Sequence, residues 1–207
     1  MVPHKSPSIF RKLMPTRLWK FDTSNKQLYL TFDDGPIPGL TDWILDVLKE
    51  YNALATFFCV GENIIKYPDL FKRIIEEGHS VGNHTQHHLN GWKTELEVYL
   101  KDVVDCDESM KKNEISTHLF RPPYGRLNWK QRKELEDKTI VMWDVLSKDY
   151  LMTLDKEIVL SETIAATEPG SIIVFHDNYK AEKNMKYALP KFIEHFKNLG
   201  YHFGRIQ

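Results

Sequence analysis

Strand-like and helix-like segments alternate along almost the whole of this chain, and that order restricts its fold more than any other feature. Gln27 to Phe32 alternates and is rich in aromatic and β-favouring residues, the pattern of a strand. Thr41 is placed to cap a helix whose apolar face is Ile44, Leu45, Val47 and Leu48. Ala55 to Val60 reads as a buried strand closed by Gly61. Pro68 opens a helix with Leu70, Phe71, Ile74 and Ile75 inside and Gly78 at its end. After the strand-like Ser80 to Asn83, Thr94-Glu95-Leu96-Glu97 has the form of a capping box, starting a helix that buries Leu96, Leu100, Val103 and Met110. Leu119-Phe120, Ile140 to Trp143 and Ile172 to Phe175 continue the strand-like runs. Helices are predicted near Gln131 to Glu136, from Asp155 to Ala166 and from Tyr187 to Leu199, and Tyr201 to Ile206 makes a last strand. About seven strands and six helices, without repeats or a long linker, predict a parallel sheet covered by helices, open or closed.

Polar residues of catalytic type follow these strands one after another. Asp33 and Asp34 come first, broken off by Gly35-Pro36. Adjacent carboxylates repel, so either a cation or a division into ligand and base relieves them, or both cap backbone amides in a turn. His84 and His88 follow the third run. Four residues apart, they would share one face of a helical turn, a common spacing for a histidine metal pair that an added Asp would complete. His87 between them should point away. Arg121-Pro122-Pro123-Tyr124 sits on a loop that proline forbids from becoming helix, suiting Arg121 to grip a carboxylate. Asp144 and Asp149 follow the Ile140 run, and His176-Asp177 the Ile172 run; Asp144 and Asp177 read as structural. Side chains from several strands converging at one carboxyl end suit a barrel better than an open sheet, which gathers its ligands at one switch point.

Composition sets outer bounds. At 207 residues with 42% hydrophobic content, the chain is expected to be one domain spanning 1–207, with a sizeable core. A formal net charge of −1 with 28% charged residues gives no gross electrostatic reason for nucleic-acid or membrane binding. The basic N-terminal residues Arg11, Lys12, Arg17 and Lys20 read as a solvated face. Cys59 and Cys106 cannot make a disulfide framework and read as a buried thiol and a helix residue, fitting a reduced state. No stretch approaches the ~20 apolar residues of a membrane span. No apolar run follows Met1 to Lys5, so the expectation is a cytoplasmic chain or one whose leader has been removed. No glycine-rich phosphate loop is present.

Taken together, Thr31-Phe32-Asp33-Asp34-Gly35, His84-Thr85-Gln86-His87-His88, Arg121-Pro122-Pro123-Tyr124, the Asp149 segment and Val174-Phe175-His176 resemble, in order, the motifs of the polysaccharide deacetylase family, carbohydrate esterase family four. The resemblance runs from about Leu28 to about Phe203 and implies a distorted (β/α) barrel. It further implies a divalent metal on Asp34, His84 and His88, most simply zinc, with cobalt or nickel as substitutes. By the same match Asp33 would be the general base and Arg121 the group fixing its direction. Tyr124 would offer its backbone amide to the oxyanion. His176 would be the general acid, held by Asp149. The implied substrate is an N-acetylated glycan, chitin oligomers or peptidoglycan, and the implied state a monomer.

Two departures from the family pattern fall in the walls of the site. Where its fourth motif reads Asp-x-x-Asp-Trp, this chain has Leu146, Asp149 and Tyr150. Where its fifth has a leucine shaping the acetyl pocket, this chain has Val174. The alternatives are O-acetyl esters or other C–N substrates for the same chemistry, and a glycan-binding relative without catalysis. A binding module would have no use for Asp33, Arg121 and His176 together.

Overall fold

A computed structural model describes residues 3–207. The described residues form eight α-helices, a 3-10 turn (Pro123–Gly125) and eight strands: α1 (Ser8–Leu13), β1 (Gln27–Asp33), α2 (Thr41–Glu50), β2 (Ala55–Cys59), α3 (Gly61–Lys66), α4 (Pro68–Glu76), β3 (Ser80–Asn83), α5 (Leu96–Lys111), β4 (Leu119–Phe120), α6 (Trp129–Glu134), β5 (Thr139–Ile140), β6 (Val145–Leu146), α7 (Lys156–Ala166), β7 (Ile172–His176), α8 (Glu182–Asn198) and β8 (His202–Gly204). The strands make one sheet in the order β5-β4-β3-β2-β1-β7-β6, with β8 also on β1. Every strand pair is parallel. The sheet curls into the distorted α/β barrel that the alternation predicts.

β1 shows how the pattern makes the layers. Leu28, Leu30 and Phe32 join Ile44, Leu45, Phe57, Phe175, Leu189 and Phe192 in the larger core between sheet and helices. The alternate residues face the other way, where Tyr29 packs with Phe58, Leu119, Val141, Ile172 and Ile206 inside the curl. A period of two therefore puts Thr31 and Asp33 on the interior face.

The curl does not close on itself. β5 and β6 are the ends of the sheet path, and the N-terminal segment lies across the gap. Lys5 bridges Val145, Leu18 bridges Val141 and Lys20 bridges Ser171. Of the basic residues read as a solvated face, Arg17 and Lys20 are engaged instead, while Lys12 is exposed as read. Lys5 Nζ is 2.7 Å from the buried Asp144 carboxylate, Lys20 pairs with Glu168 at 2.7 Å, and Arg17 donates to the Leu127 carbonyl at 3.1 Å.

Several local readings change. Thr41 is the first residue of α2, and no side chain caps that helix; its hydroxyl instead accepts the Ile37 N–H and donates to Asp177. The Thr94 capping box does not form. Glu95 precedes α5 without a side-chain bond, and Thr94 Oγ1 donates back to the Asn90 carbonyl at 2.9 Å. The capping box is at α6, where Asn128 and Gln131 exchange bonds. α1, α3 and β6 have no counterpart among the elements expected from the sequence, and α8 begins five residues before Tyr187, because Asn184 and Met185 extend its buried stripe. Cys59 and Cys106 are both buried, unpaired thiols.

Candidate active site

Parallel register brings the motifs to one edge. Asp33 is the partner of His176 across β1 and β7 and of Phe58 across β1 and β2. Cys59 pairs with Asn83, and Asn83 with Phe120. His84 and Arg121 therefore start their loops at the level where Asp33 and His176 end their strands. These carboxyl ends open on a cavity of ≈ 700 Å³, lined among others by Asp33, Asp34, His84, His88, Tyr124, Trp143, Leu146, Tyr150, Val174 and His176.

His84 and His88 meet, but not on a helix. The segment is a loop in which Thr85 has φ 65° and His88 φ 56°, and the two rings lie 5.1 Å apart. A β-branched residue at positive φ is strained, so the surroundings must impose it. Asn83 Oδ1 accepts the Thr85 N–H at 2.8 Å, and Asp102 Oδ2 accepts those of Gln86 and His87. His87 points outward, as read, with Nδ1 2.6 Å from Asp102. Among the described residues seven non-glycine positions have positive φ, and five of them (Asp34, Thr85, His88, Tyr124 and Lys148) lie in the motif loops. Strain concentrated this way is typical of functional sites.

Asp34, His84 and His88 each offer one ligand atom, all within 4.8 Å of one another. The fit to a metal ion rests on the state of those atoms. Asp34 Oδ1 is buried without a hydrogen-bond partner; His88 Nε2 is 3.1 Å away and His84 Nε2 3.6 Å, but neither approach has hydrogen-bond geometry. Oδ2 is already taken by Asn178, whose Nδ2 donates at 2.5 Å. His84 Nδ1 is 2.7 Å from the Arg121 carbonyl, which fixes its proton there and leaves Nε2 bare. Burial lowers the His84 pKa to about 4 against the pull of Asp33, so the ring is neutral, as a ligand must be. Burial raises the Asp34 pKa, but the contact with His88 and the charge of His176 outweigh it and leave the carboxyl well below its usual range.

On one side of this trio stands Asp33, almost fully buried. Arg121 Nη1 donates to Asp33 Oδ1 at 2.6 Å and to Thr31 Oγ1 at 2.7 Å. Its Nη2 and Nε reach the Met142 and Val141 carbonyls at 2.8 and 3.2 Å. The fully buried guanidinium lies 4.1 Å from the Phe58 ring centre, so it fills the barrel interior as well as gripping Asp33. On the other side, Asp149 Oδ2 accepts the His176 N–H at 2.8 Å and Oδ1 lies 2.7 Å from His176 Nδ1. Burial disfavours the imidazolium, but Asp149, Asp34 and Asp33 together raise the His176 pKa to about 9.

Tyr124 lies in a tight turn at φ 60°, ψ 9°, with its ring 4.7 Å from His88. Gly125 follows at φ +66°, where a Cβ would come 2.6 Å from Trp143; only glycine lets the loop close on that wall. Tyr150 packs edge-on to His176 at 5.0 Å, and Val174 and Leu146 are buried beside it. Asp177 and Asp144 are structural, as read. Asp177 accepts the Gly35 N–H and the Thr41 hydroxyl, and Asp144 takes Lys5 and Ser171. Asn83, Asp102, Trp143 and Asn178 were not singled out in the sequence. Asn83 and Asn178 adjoin quoted motifs, and that adjacency was the only signal available.

The fold and the polar constellation define a barrel hydrolase, and the comparisons give its family. A family model described as Polysaccharide deacetylase matches residues 20–143, and the chain belongs to the polysaccharide deacetylase family. Members of this family are metal-dependent. The chain is 32% identical over 199 residues to a peptidoglycan-N-acetylglucosamine deacetylase of Bacillus cereus, covering 93% of each. It is 33% identical to the peptidoglycan-N-acetylglucosamine deacetylase PgdA of Listeria monocytogenes, covering 88% of this chain but 38% of that protein. The crystal structure of the Bc1960 peptidoglycan N-acetylglucosamine deacetylase superposes with a TM-score of 0.89 at 30% identity, over 97% of this chain and 95% of that one. Among the described residues no helix is long and apolar enough to cross a membrane.

Proposed function

We propose that this chain is a metal-dependent hydrolase that removes N-acetyl groups from amino-sugar glycans, working as one catalytic domain and as a monomer. One juxtaposition carries the reading. A ligand trio, Asp34, His84 and His88, faces the same cavity as a carboxylate backed by a buried arginine and a histidine backed by a buried carboxylate. Asp34, His84 and His88 would hold the ion, and two nitrogens with one oxygen favour zinc, with cobalt or nickel as substitutes. An ion bound there would polarise the acetyl carbonyl and make water a better nucleophile.

The chain's own groups supply the rest. Asp33 accepts the proton of the attacking water on Oδ2, because Arg121 occupies Oδ1. The Tyr124 backbone N–H meets the oxygen of the acetyl group as it gains charge. His176 delivers a proton from Nε2 to the departing nitrogen; Asp149 holds Nδ1–H and keeps the ring charged until then. Every group comes from one chain, so a monomer suffices.

Acetate release from N-acetylated and O-acetylated glycans, with and without chelator, tests the assignment. N-acetyl amino sugars should be turned over, chelation should stop the reaction and added zinc should restore it. Full activity in protein shown by elemental analysis to be metal-free would remove the metal. Release from esters alone would change the bond cleaved, and glycan binding without release would make the chain a binding relative.

A further inference from the structure

One rim of the cavity carries a cation mounted on an indole. Arg126 lines the cavity, and its guanidinium carbon lies 5.0 Å from the centre of the Trp92 ring, within cation–π range. The carboxylates that line the cavity are Asp33, Asp34 and Glu62, and each is already engaged. Asp33 is held by Arg121, Asp34 by Asn178, and Glu62 by Lys66 at 2.6 Å. Arg126 therefore faces the cavity with none of them as its counter-ion.

The mount is rigid. Gln131 is buried and donates to the Gly91 carbonyl at 2.7 Å, Asn90 Oδ1 accepts the Trp92 N–H at 3.1 Å, and Thr94 holds the Asn90 carbonyl. A Cβ at Gly91 would fall 2.3 Å from the Arg126 carbonyl oxygen, so the two backbones are in direct contact. Trp92 nevertheless leaves 65% of its surface exposed. Lys180 lines the same cavity, adding a second positive charge to the rim. A cavity of ≈ 700 Å³ is in the range that takes a drug-sized ligand, more than a lone acetamido group.

We infer that Arg126, set in place by Trp92, is a subsite for a carboxylate on the sugar next to the one that loses its acetyl group, so that the preferred substrate is an acidic glycan. The guanidinium fork matches a carboxylate with two parallel N–H donors, and stacking on Trp92 lowers the entropy lost in aligning it. Trp92 is here a positioning residue. The inference rests on the deacetylase reading and narrows it from amino-sugar glycans in general to acidic ones.

The test uses the full chain loaded with zinc and N-acetylated oligosaccharides of equal length. One carries a lactyl-ether carboxylate on alternate sugars, a second has that carboxyl amidated, a third carries a uronate instead, and a fourth is a neutral chito-oligosaccharide. The wild type should favour the lactyl acid over its amide by about tenfold in kcat/KM, the scale of one charge-assisted bond. That preference should lie in KM and fall with salt. Arg126→Gln should bring the ratio close to one, Arg126→Lys should keep part of it, and Trp92→Ala should reduce it without abolishing it. The uronate arm separates the two sources of carboxylate. Equal rates on acid and amide, or an unchanged ratio in Arg126→Gln, would overturn the subsite while leaving the deacetylase standing. If no substrate released acetate, that reading would fall, and the same variants titrated for binding of acid against amide would decide the subsite alone.

Discussion

Asp33 and His176 are register partners at the ends of β1 and β7, yet their surroundings are opposite in sign. Behind Asp33 a buried cation, Arg121, leaves a carboxylate facing the cavity. Behind His176 a buried anion, Asp149, leaves an imidazolium facing it. In the proposed mechanism one sheet edge thus presents an acceptor and a donor of protons on either side of Asp34, His84 and His88. Opposed environments of this kind are how one site holds a base and an acid together. The difference also shows which half tolerates change. Arg121 has four acceptors inside the barrel and is part of the core, whereas Asp149 serves His176 and the local turn through Tyr150.

The largest effect should come from the ground the two halves share. Asp34→Ala should lose the metal and all measurable turnover, read by elemental analysis and acetate release on the same sample. Retained stoichiometric metal would move the ligand role elsewhere. Next comes the base side. Asp33→Asn should keep the metal and cut kcat by about 10²-fold or more. If turnover survived with metal in place, Asp33 would be no base and the contrast with His176 would collapse.

On the acid side the effect should be smaller and pH-dependent. The His176 pKa is raised to about 9 from an ordinary 6.5. The protonated form is therefore available to higher pH than an unpaired histidine allows, and the alkaline limb of the rate profile should lie well above 6.5. Metal on Asp34 removes part of that support, leaving Asp149 as the main cause. Asp149→Asn should draw the limb to lower pH and cost about tenfold in kcat at pH 8. Stability must follow the same sign. A raised pKa contributes stability that is complete below about 6.5 and is lost as pH climbs through about 9. Melting curves of the wild type should decline across that window, and those of Asp149→Asn should decline less. Superimposable rate profiles would separate the two residues functionally.

How far the sequence disclosed this arrangement depended on whether a feature was local. Strand periodicity placed the layers correctly, because Leu28, Leu30 and Phe32 face the helices and Thr31 and Asp33 the interior. The pairing of His84 with His88 was anticipated from a spacing of four, but for the wrong local reason. A helical turn was expected, and a loop with Thr85 and His88 at positive φ, its amides at 85–87 held by Asn83 and Asp102, does the work instead. Nothing in a local window reports a bond from Asp102, on α5, to amides in that loop. The N-terminal closure of the barrel was illegible for the same cause. Isolated bridges from Lys5, Leu18 and Lys20 leave no periodic pattern. Trp143 was read only as the end of an apolar run, though it walls the cavity.

The smallest expected effect lies in the walls, where the two halves of the site stop being alike. The Asp33 side is closed by groups shared with the family pattern, whereas the His176 side has Leu146, Tyr150 and Val174 where the pattern has Asp, Trp and Leu. Val174 is buried and lines the cavity beneath the end of β7, so a side chain one methylene shorter leaves room at the acyl end. Apolar pockets discriminate weakly by size, about 1–3 kcal/mol per methylene. Acetyl should therefore remain the preferred acyl group, with propionyl accepted about fivefold better than by Val174→Leu, near the low end of that range. The measurement is kcat/KM on acetylated and propionylated chito-oligomers for both proteins. A ratio that Val174→Leu fails to move would mean that Tyr150 and Trp143, rather than residue 174, bound the acyl group. The departures from the family pattern would then act on the leaving sugar beside His176 and not on the group removed.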